Sequence, residues 1–196
     1  MKRLFDLIVS AVAIVVLSPL FLAIAIAVRL DSRGPVLFRQ ERMGRGFRPF
    51  PICKFRTMVV DAPRLGGQLT AGDRDPRITR VGRFLRRWKL DELPQLLNVF
   101  KGDMSFVGPR PEVPRYVEMF RDDYAVILTV RPGMTDPASI KYLNEAALLA
   151  AADNPEDTYV RQILPEKIAL AKQYVSQRSL GYDLRLIWNT LWHIGR

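Results

Sequence analysis

A carboxylate pair, Asp91-Glu92, follows a stretch of the chain that is dense in arginine. Because Leu-Pro comes next, Asp91 has the residue type and the position of a helix N-cap, with the proline in the first helical turn. A helix N-terminus also binds phosphate, and a carboxylate beside a divalent cation can attack phosphorus and form an acyl phosphate. The pair therefore indicates a structural cap, phosphoryl chemistry with Glu92 holding or orienting the metal, or both.

Several cations occupy positions that present them rigidly. Arg110 stands between two prolines, whose fixed backbone angles reduce its entropy loss on binding. Arg131 precedes Pro-Gly at a similar turn, and Lys54 and Arg56 share one face of a predicted strand. Each could be a solvated surface side chain, but together they supply the donors that a diphosphate needs.

Charge and cysteine content narrow the class of protein. Lys and Arg total 30 against 20 Asp and Glu, which gives a net charge of +10 over 196 residues. This excess favours phosphate-rich partners, namely nucleic acid, nucleotides or anionic lipid. The single cysteine, Cys53, excludes an internal disulfide and is typical of a packed apolar residue.

The N-terminus carries an uncharged apolar run from Leu7 to Val28. These 22 residues would span about 33 Å as a helix, which is enough to cross a bilayer. Basic residues flank the run on both sides, whereas a simple span usually shows a one-sided bias. Both ends are therefore expected on the cytoplasmic side.

A Ser18-Pro19 step interrupts this run. Proline removes a helix hydrogen bond, and the serine hydroxyl can satisfy the freed carbonyl. Such a break could turn the helix back as a re-entrant hairpin. From spacing alone a kinked transmembrane helix is equally compatible, and Ala23-Ile24-Ala25 resembles a signal-peptide cleavage site.

The remaining chain predicts an α+β fold that is mostly helical. The segments 36–38 and 52–55 are strand-like, and 61–76 is a polar, glycine-rich loop. Helices are predicted over 77–89, from Asp91 to Lys101 with a stop at Gly102, and over 112–128, 144–152, 158–177 and 180–195.

Two of these helices are amphipathic in a way that suits a membrane surface. Helix 77–89 carries a basic face opposite an apolar one, and helix 180–195 places tryptophans beside an apolar stripe. The alternative for both is an apolar face that packs on the domain, with the polar face in solvent.

The motifs, taken in order, resemble the bacterial sugar transferases, the monotopic phosphoglycosyl transferases that act on a polyprenol carrier. The resemblance runs from about Lys2 to the C-terminus. It rests on Phe38-Arg39-Gln40-Glu41-Arg42, Lys54-Phe55-Arg56-Thr57-Met58, Asp75-Pro76-Arg77-Ile78-Thr79-Arg80, Leu90-Asp91-Glu92-Leu93-Pro94-Gln95, Lys101-Gly102-Asp103-Met104-Ser105, Gly108-Pro109-Arg110-Pro111 and Val130-Arg131-Pro132-Gly133.

This resemblance implies a re-entrant helix over 1–30, broken at Ser18-Pro19, and a catalytic domain over 31–196 with amphipathic interfacial helices. In the family the equivalent of Asp91 is the nucleophile and the equivalent of Glu92 is its partner, and both serve a required Mg²⁺. The cations expected to bind substrate are Lys54, Arg56, Arg77, Arg110, Arg131 and Lys141.

The resemblance also implies a reaction and a location. A UDP-sugar loses UMP to the aspartate, and polyprenol (undecaprenyl) phosphate then takes the sugar phosphate, as the first membrane step of polysaccharide, O-antigen or glycoprotein assembly. The expected place is the bacterial inner membrane, with the catalytic domain on its cytoplasmic face. Membrane lipid is an expected partner and nucleic acid is not, and a homodimer is left open.

One segment departs from the family pattern. Leu143 occupies the position where many members carry an arginine near the active site, so Lys141 is the candidate substitute. The loop 61–76 and the segment 134–160 are the candidate selectors of the sugar.

Two other functions compete with the transferase. A membrane-tethered module that binds anionic lipid or nucleic acid would explain the charge, but not the carboxylate pair or the proline-framed arginine. A nucleotide-sugar phosphohydrolase would share the first half-reaction and release UMP without a lipid acceptor.

Overall fold

The computed structural model describes residues 2–65 and 75–193 of the chain, and it has the predicted α+β, mostly helical composition. The helices are α1 (Lys2–Asp31), α2 (Ala62–Leu65), α3 (Arg80–Arg87), α4 (Gln95–Lys101), α5 (Pro114–Met119), α6 (Arg121–Ile127), α7 (Pro137–Lys141), α8 (Glu145–Ala150), α9 (Pro155–Thr158), α10 (Leu164–Gln177) and α11 (Leu180–His193). Single 3-10 turns cover Arg45–Phe47 and Leu90–Glu92, and a π turn covers Tyr159–Ile163.

The strands form two small sheets. β1 (Leu37–Met43) and β2 (Pro49–Phe55) make an antiparallel hairpin in which Leu37 pairs with Phe55, which confirms the two predicted strands. β3 (Ser105–Val107) and β4 (Gly133–Thr135) pair in parallel, and neither was predicted. Three-residue strands have too short an alternating pattern to be recognised from the sequence.

Helix α1 is long and apolar enough to cross a membrane, and only 11% of its most apolar window is buried. It is therefore not the core helix of a soluble domain. Its helical structure continues through Pro19, and Ser18 Oγ donates to the carbonyl of Val15 at 2.7 Å. This is the carbonyl that loses its helical partner because proline has no N–H.

Both ends of α1 contact the globular domain. At the N-terminal end, Lys2 forms an ion pair with Asp183 of α11, and Arg3 Nη1 donates to the carbonyl of Val99 in α4 at 2.6 Å. At the other end, Ile24 and Val28 pack in a buried apolar cluster with residues from β2 and α3. If α1 simply crossed a bilayer, its two ends would lie a membrane thickness apart. Contacts of both ends with the same domain are not expected of such a span.

Two clusters form most of the core. The larger one packs α5, α6 and α10 together, through residues such as Val117, Ile127 and Leu164. The second, which we call the α1/α3 cluster, consists of buried Ile24, Val28, Phe55 and Leu85, with Phe21, Val36, Leu37, Val81, Leu90 and Leu93 packed against them. This second cluster positions the carboxylate pair.

Several predicted helix boundaries change. α3 starts at Arg80 because Thr79 Oγ1 accepts from Gly82 N at 3.0 Å and caps it. The predicted helix 112–128 is two helices that meet at Phe120. Residues 66–74 of the predicted loop and 194–195 of the last predicted helix lie outside the described residues.

The two amphipathic helices expose apolar side chains. On α11, Leu184, Trp188 and Leu191 are exposed, while Asp183 and Leu186 face the interior. On α3, Leu85 is buried, but Phe84 is 58% exposed. Most of the predicted stripe on the last helix therefore faces outward, whereas its member Ile187 packs against the buried cluster of Val107, Tyr174 and Leu186.

Candidate active site

The carboxylate pair lies in a tight turn between α3 and α4. Lys89 has a left-handed backbone conformation (φ 55°) and starts the 3-10 turn Leu90–Glu92, and α4 begins only at Gln95. No side-chain capping bond forms at the start of the turn or of α4, so the interpretation of Asp91 as an N-cap is wrong. The predicted stop of the helix at Gly102 is confirmed by its left-handed conformation (φ 94°).

Apolar side chains on both sides of the pair hold this turn. Leu90 and Leu93 pack against the α1/α3 cluster. As a result Asp91 is only 8% exposed, although it lies in a turn. Its carboxylate receives no hydrogen bond from any residue in the described parts of the chain.

The neighbouring carboxylate of Glu92 is bound by two cations from distant segments. Lys54 Nζ at the end of β2 lies 2.7 Å from Glu92 Oε1, and Arg110 Nη2 lies 2.6 Å from the same oxygen. Arg110 Nη1 reaches Oε2 only at 3.4 Å. Glu92 thus fixes a lysine and an arginine beside Asp91.

These surroundings move the pKa values of the two carboxyls in opposite directions. Burial raises the pKa of Asp91, and the negative charge of Glu92 adds to the effect. Burial alone would raise the pKa of Glu92 as well, but Arg110 and Lys54 together bring it well below its usual range. Adjacent carboxyls whose pKa values are pushed apart take different chemical roles.

The two cations respond to the same arrangement. Burial lowers the pKa of Lys54, although the attraction of Glu92 opposes the change. The charge of Glu92 raises the pKa of Arg110. Arg110 therefore stays charged throughout the working pH range, and its side chain is 35% exposed, which leaves it accessible to an anion.

Two further cations that the sequence analysis did not assign to the site act on Asp91. The charges of Arg86 and Lys89 favour its ionised form. Arg86 Nε donates to Thr57 Oγ1 at 2.8 Å, which ties α3 to the end of β2. Helical spacing places Arg86 on the basic face of α3, but only the turn at Lys89 brings that face to the carboxylate.

The loop that carries Arg110 is held by the parallel strands β3 and β4. Gly108 N donates to Thr135 O, and Gly133 N donates to Pro109 O, both at 3.0 Å. A Cβ atom at either glycine would lie within 2.4 Å of the opposite backbone, so only glycine permits this approach. Asp136 Oδ2 accepts from the backbone N of Arg110 at 3.2 Å and secures the loop.

Two of the cations that were predicted to bind substrate, Arg77 and Arg56, contact residues outside the carboxylate pair. Arg77 is buried and forms a multiple hydrogen-bonded ion pair with Asp75, with Nη2 and Oδ2 2.6 Å apart. Arg56 is also buried, and its Nη2 donates to the carbonyl of Ser32 at 2.7 Å, just after α1. Their described contacts are with these segments and not with Glu92.

The last two predicted cations, Arg131 and Lys141, also contact residues outside the carboxylate pair. Arg131 Nε donates to Gly102 O at 2.7 Å. Burial, followed by the charges of Arg45 and Arg3, lowers its pKa. Lys141 forms an ion pair with Glu166 of α10. The structure thus joins Lys54 and Arg110 to Glu92 of the carboxylate pair, and substrate roles for all six cations remain predictions.

The described residues contain no group of three or more His, Cys, Asp or Glu side chains that could hold a metal ion. The oxygens available at the site are those of Asp91 and the Oε2 atom of Glu92, since both strong contacts of Glu92 fall on Oε1. Such a pair fits Mg²⁺, which binds through one or two carboxylates and completes its shell with substrate phosphates and water.

Comparison with known proteins gives a consistent family. The family model for bacterial sugar transferase matches residues 1–196. An undecaprenyl-phosphate glucose phosphotransferase from Komagataeibacter xylinus is 37% identical over 97% of this chain and 35% of its own length. A UDP-N-acetylgalactosamine-undecaprenyl-phosphate N-acetylgalactosaminephosphotransferase from Aeromonas hydrophila is 38% identical over 97% of this chain and 42% of its own length.

A shorter relative is matched almost completely. The exopolysaccharide production protein PSS from Rhizobium leguminosarum bv. phaseoli is 38% identical over 97% of this chain and 93% of its own length. By contrast, the chain spans less than half the length of the two relatives named before it.

Proposed function

Because the chain belongs to the bacterial sugar transferase family, we propose that it transfers a sugar phosphate from a UDP-sugar to undecaprenyl phosphate and releases UMP. The proposal rests on the ion pairs that Lys54 and Arg110 form with Glu92 in the turn beside Asp91. Glu92 is neutralised by Lys54 and Arg110, while the adjacent carboxylate of Asp91 has no hydrogen-bond donor among the described residues. The site therefore offers one unengaged carboxylate beside fixed cations.

This arrangement suits covalent catalysis in two steps. An Asp91 oxygen attacks the phosphorus that bears the sugar, the bond to the UMP oxygen breaks, and UMP leaves with the bonding electron pair. An oxygen of undecaprenyl phosphate then attacks the same phosphorus, breaks the acyl phosphate bond and restores the Asp91 carboxylate. The product is a sugar linked to the lipid through a diphosphate.

The cations serve the charge that develops in both steps. Arg110 presents a planar guanidinium and Lys54 a compact ammonium, both oriented by Glu92 before substrate arrives. Asp91, the Oε2 atom of Glu92 and the substrate phosphates would hold Mg²⁺, which would neutralise part of the negative charge at the diphosphate.

The contacts of α1 support a location on one side of the membrane. Its N-terminal residue Lys2 pairs with Asp183, while Val28 near the other end is buried in the α1/α3 cluster. The exposed middle, including Val15 and Val16, would then enter the lipid and return, with the continuous helix bent at Ser18-Pro19. Because nucleotide-sugar donors are made in the cytosol, the domain would lie on the cytoplasmic face of the inner membrane.

A product assay tests the proposed activity. Protein in lipid nanodiscs is given Mg²⁺, undecaprenyl phosphate and a panel that includes UDP-glucose and UDP-N-acetylgalactosamine. We expect UMP and the sugar diphosphate lipid in equal amounts with at least one donor. UMP release that continues without the lipid would favour a phosphohydrolase. No UMP from any donor, with retained binding to anionic vesicles, would favour the binding module.

A further inference from the structure

An open groove of about 580 Å³ lies between α1 and α3. On the α1 side it is lined by Ala23 and Ala27, whose small side chains leave the space open, and on the α3 side by Phe84 and Leu85. Asp31 and Arg80 lie at the end where α1 finishes and α3 begins. The middle of the groove is therefore apolar, and its charged lining residues are grouped at one end.

The walls of the groove are held at a fixed spacing. Asp31 Oδ2 accepts from the backbone N of Val81 at 2.9 Å, which joins the last residue of α1 to the first turn of α3. Ile24 and Leu85 are buried below, where they belong to the α1/α3 cluster. The groove is thus built into the contact between the membrane helix and the domain.

The floor of the groove belongs to a cluster that adjoins the carboxylate pair. Ile24 and Leu85 share their cluster with Leu90 and Leu93, the residues on either side of Asp91-Glu92. A chain laid along this floor would therefore bring a polar end group to the turn. Lys54 and Arg110 are held at this turn by Glu92, so an anionic end group meets cations there.

The rim of the groove carries exposed apolar side chains. Phe84 is 58% exposed, and Leu22 and Ile26 on α1 are 64% and 52% exposed. Scattered apolar side chains are ordinary on a surface, but these adjoin the exposed length of the membrane helix. A lipid chain could enter the groove from the side without crossing water.

We propose that this groove binds the polyprenyl chain of the lipid acceptor and so leads its phosphate to Asp91. The proposal rests on the proposed function, which supplies the acceptor. A single linear isoprenoid chain matches one open apolar groove, and the floor residues Ile24 and Leu85 belong to the cluster on which Leu90 and Leu93 pack beside the carboxylate pair. A phospholipid would need room for two acyl chains and would bring no reacting phosphate to the turn.

Filling the groove tests this assignment. Ala27→Trp places a large side chain in the groove, and Val15→Trp places the same side chain on an exposed part of α1 outside it. The first half-reaction, a stoichiometric UMP burst with donor alone, reports folding and the function of Asp91 without the acceptor. Acceptor kinetics are then compared for undecaprenyl phosphate and for a two-isoprene phosphate.

We expect Ala27→Trp to keep the UMP burst and to lower kcat/KM for the long acceptor by roughly tenfold or more, because contacts along the chain are lost. The short acceptor should be affected less than about twofold, and Val15→Trp should affect neither. Equal kinetic constants in Ala27→Trp and the control, with a normal burst, would overturn the groove assignment. A wild-type protein that forms no sugar diphosphate lipid from any donor would instead overturn the proposed function.

A second measurement covers the case in which Ala27→Trp does not fold. A photoreactive benzoylphenylalanine at the exposed position Phe84 should cross-link to labelled undecaprenyl phosphate in nanodiscs. Excess unlabelled undecaprenyl phosphate should suppress the cross-link, whereas excess phospholipid should not. Cross-links to phospholipid alone would assign the groove to bulk lipid and contradict the proposal.

Discussion

Arg110 Nη2 and Glu92 Oε1 lie 2.6 Å apart, although the two residues are 18 positions apart in the chain. The same oxygen also accepts from Lys54. Glu92 is therefore the acceptor that joins the loop after β3 and the end of β2 to the turn at Asp91. Of the two adjacent carboxylates, only Glu92 has cationic partners within hydrogen-bond distance among the described residues, and Asp91 is the one that we propose as the nucleophile.

The first prediction concerns Asp91 as nucleophile. Asp91→Asn should abolish turnover, because the amide cannot form the acyl phosphate, while shape and packing are retained. Kinetics of the wild type should be ping-pong, and an acid-quenched digest should show the sugar phosphate on the peptide that contains Asp91. Turnover of the variant within tenfold of wild type, or sequential kinetics with no adduct, would instead favour direct attack by the lipid phosphate.

The second prediction concerns stability against pH. The pKa of Asp91 is raised in the fold, so its protonated form is favoured there, and this contribution is lost as pH rises from 3.8 through the folded value. Asp91→Asn should therefore be more stable than wild type at neutral pH, and the difference should vanish in acid. Urea unfolding between about pH 3 and pH 8 measures it.

The pKa of Glu92 moves the other way and serves as the comparison. Its ionised form stabilises the fold above its ordinary pKa of 4.5, and this contribution is lost as pH falls through the lowered folded value. Glu92→Gln should cost about 1.5–3 kcal/mol at neutral pH, because Lys54 and Arg110 lose their charged acceptor. Parallel stability curves for Glu92→Gln and Asp91→Asn would contradict the opposite pKa shifts.

The third prediction concerns Arg110. Arg110→Ala should weaken use of the donor by roughly 2–4 kcal/mol if the guanidinium makes a charge-assisted contact with the diphosphate. Arg110→Lys should recover only part of the loss, because the planar fork is absent. The exposed Arg121, which forms an ion pair with Glu118 and lies over the ring of Phe47, provides the control. Unchanged constants in Arg110→Ala would make it a surface cation.

Motif order and the resemblance to the family predicted a candidate site, and the structure brings four of its residues together. Asp91, Glu92, Lys54 and Arg110 were all named from the sequence, and they meet. Arg77 and Lys141 were named by the same reasoning, but packing supplies them with Asp75 and Glu166. An arginine beside proline or in a motif shows that it is presented rigidly, and it does not show which acceptor the fold brings to it.

The elements that the sequence did not predict are those that depend on distant contacts. β3 and β4 are three residues each and pair across more than twenty intervening positions. The turn at Asp91 depends on the left-handed Lys89 and on Leu90 and Leu93, which pack against other segments. Local propensity favours a helix N-terminus there, and tertiary packing replaces it with a 3-10 turn.

The fourth prediction concerns Asp136, which supports Arg110 from behind. Its Oδ2 accepts from Arg110 N at 3.2 Å, and its Oδ1 accepts from Ser139 N at 2.7 Å and caps α7. Asp136→Asn retains one acceptor and should keep the cap while it loosens the loop, so KM for the donor should rise with little change in unfolding. Asp136→Ala should also lose about 0.5–2 kcal/mol of stability. Equal donor KM in wild type and Asp136→Asn would exclude a positioning role.

The last prediction concerns the topology of α1. Its N-terminal end is attached to the domain by the Lys2–Asp183 ion pair and by hydrogen bonds from Arg3 to the carbonyls of Val99 and Phe100. Single cysteines at exposed Leu4 and Arg33, in a Cys53→Ser background, should therefore both resist an impermeant thiol reagent added to spheroplasts.

Two sets of substitutions test separately the proline step in α1 and the contacts that attach the N-terminal end of α1 to the domain. Replacing Ser18-Pro19 by Ala-Leu restores the helix hydrogen bond at Val15 and should favour a straight helix. Lys2→Ala with Arg3→Ala removes the charged contacts to α4 and α11. We expect each change alone to expose only a fraction of the Leu4 cysteine, and the two together to expose most of it. If the Leu4 cysteine is already labelled in the unaltered helix, α1 is a true span and the one-sided topology is wrong.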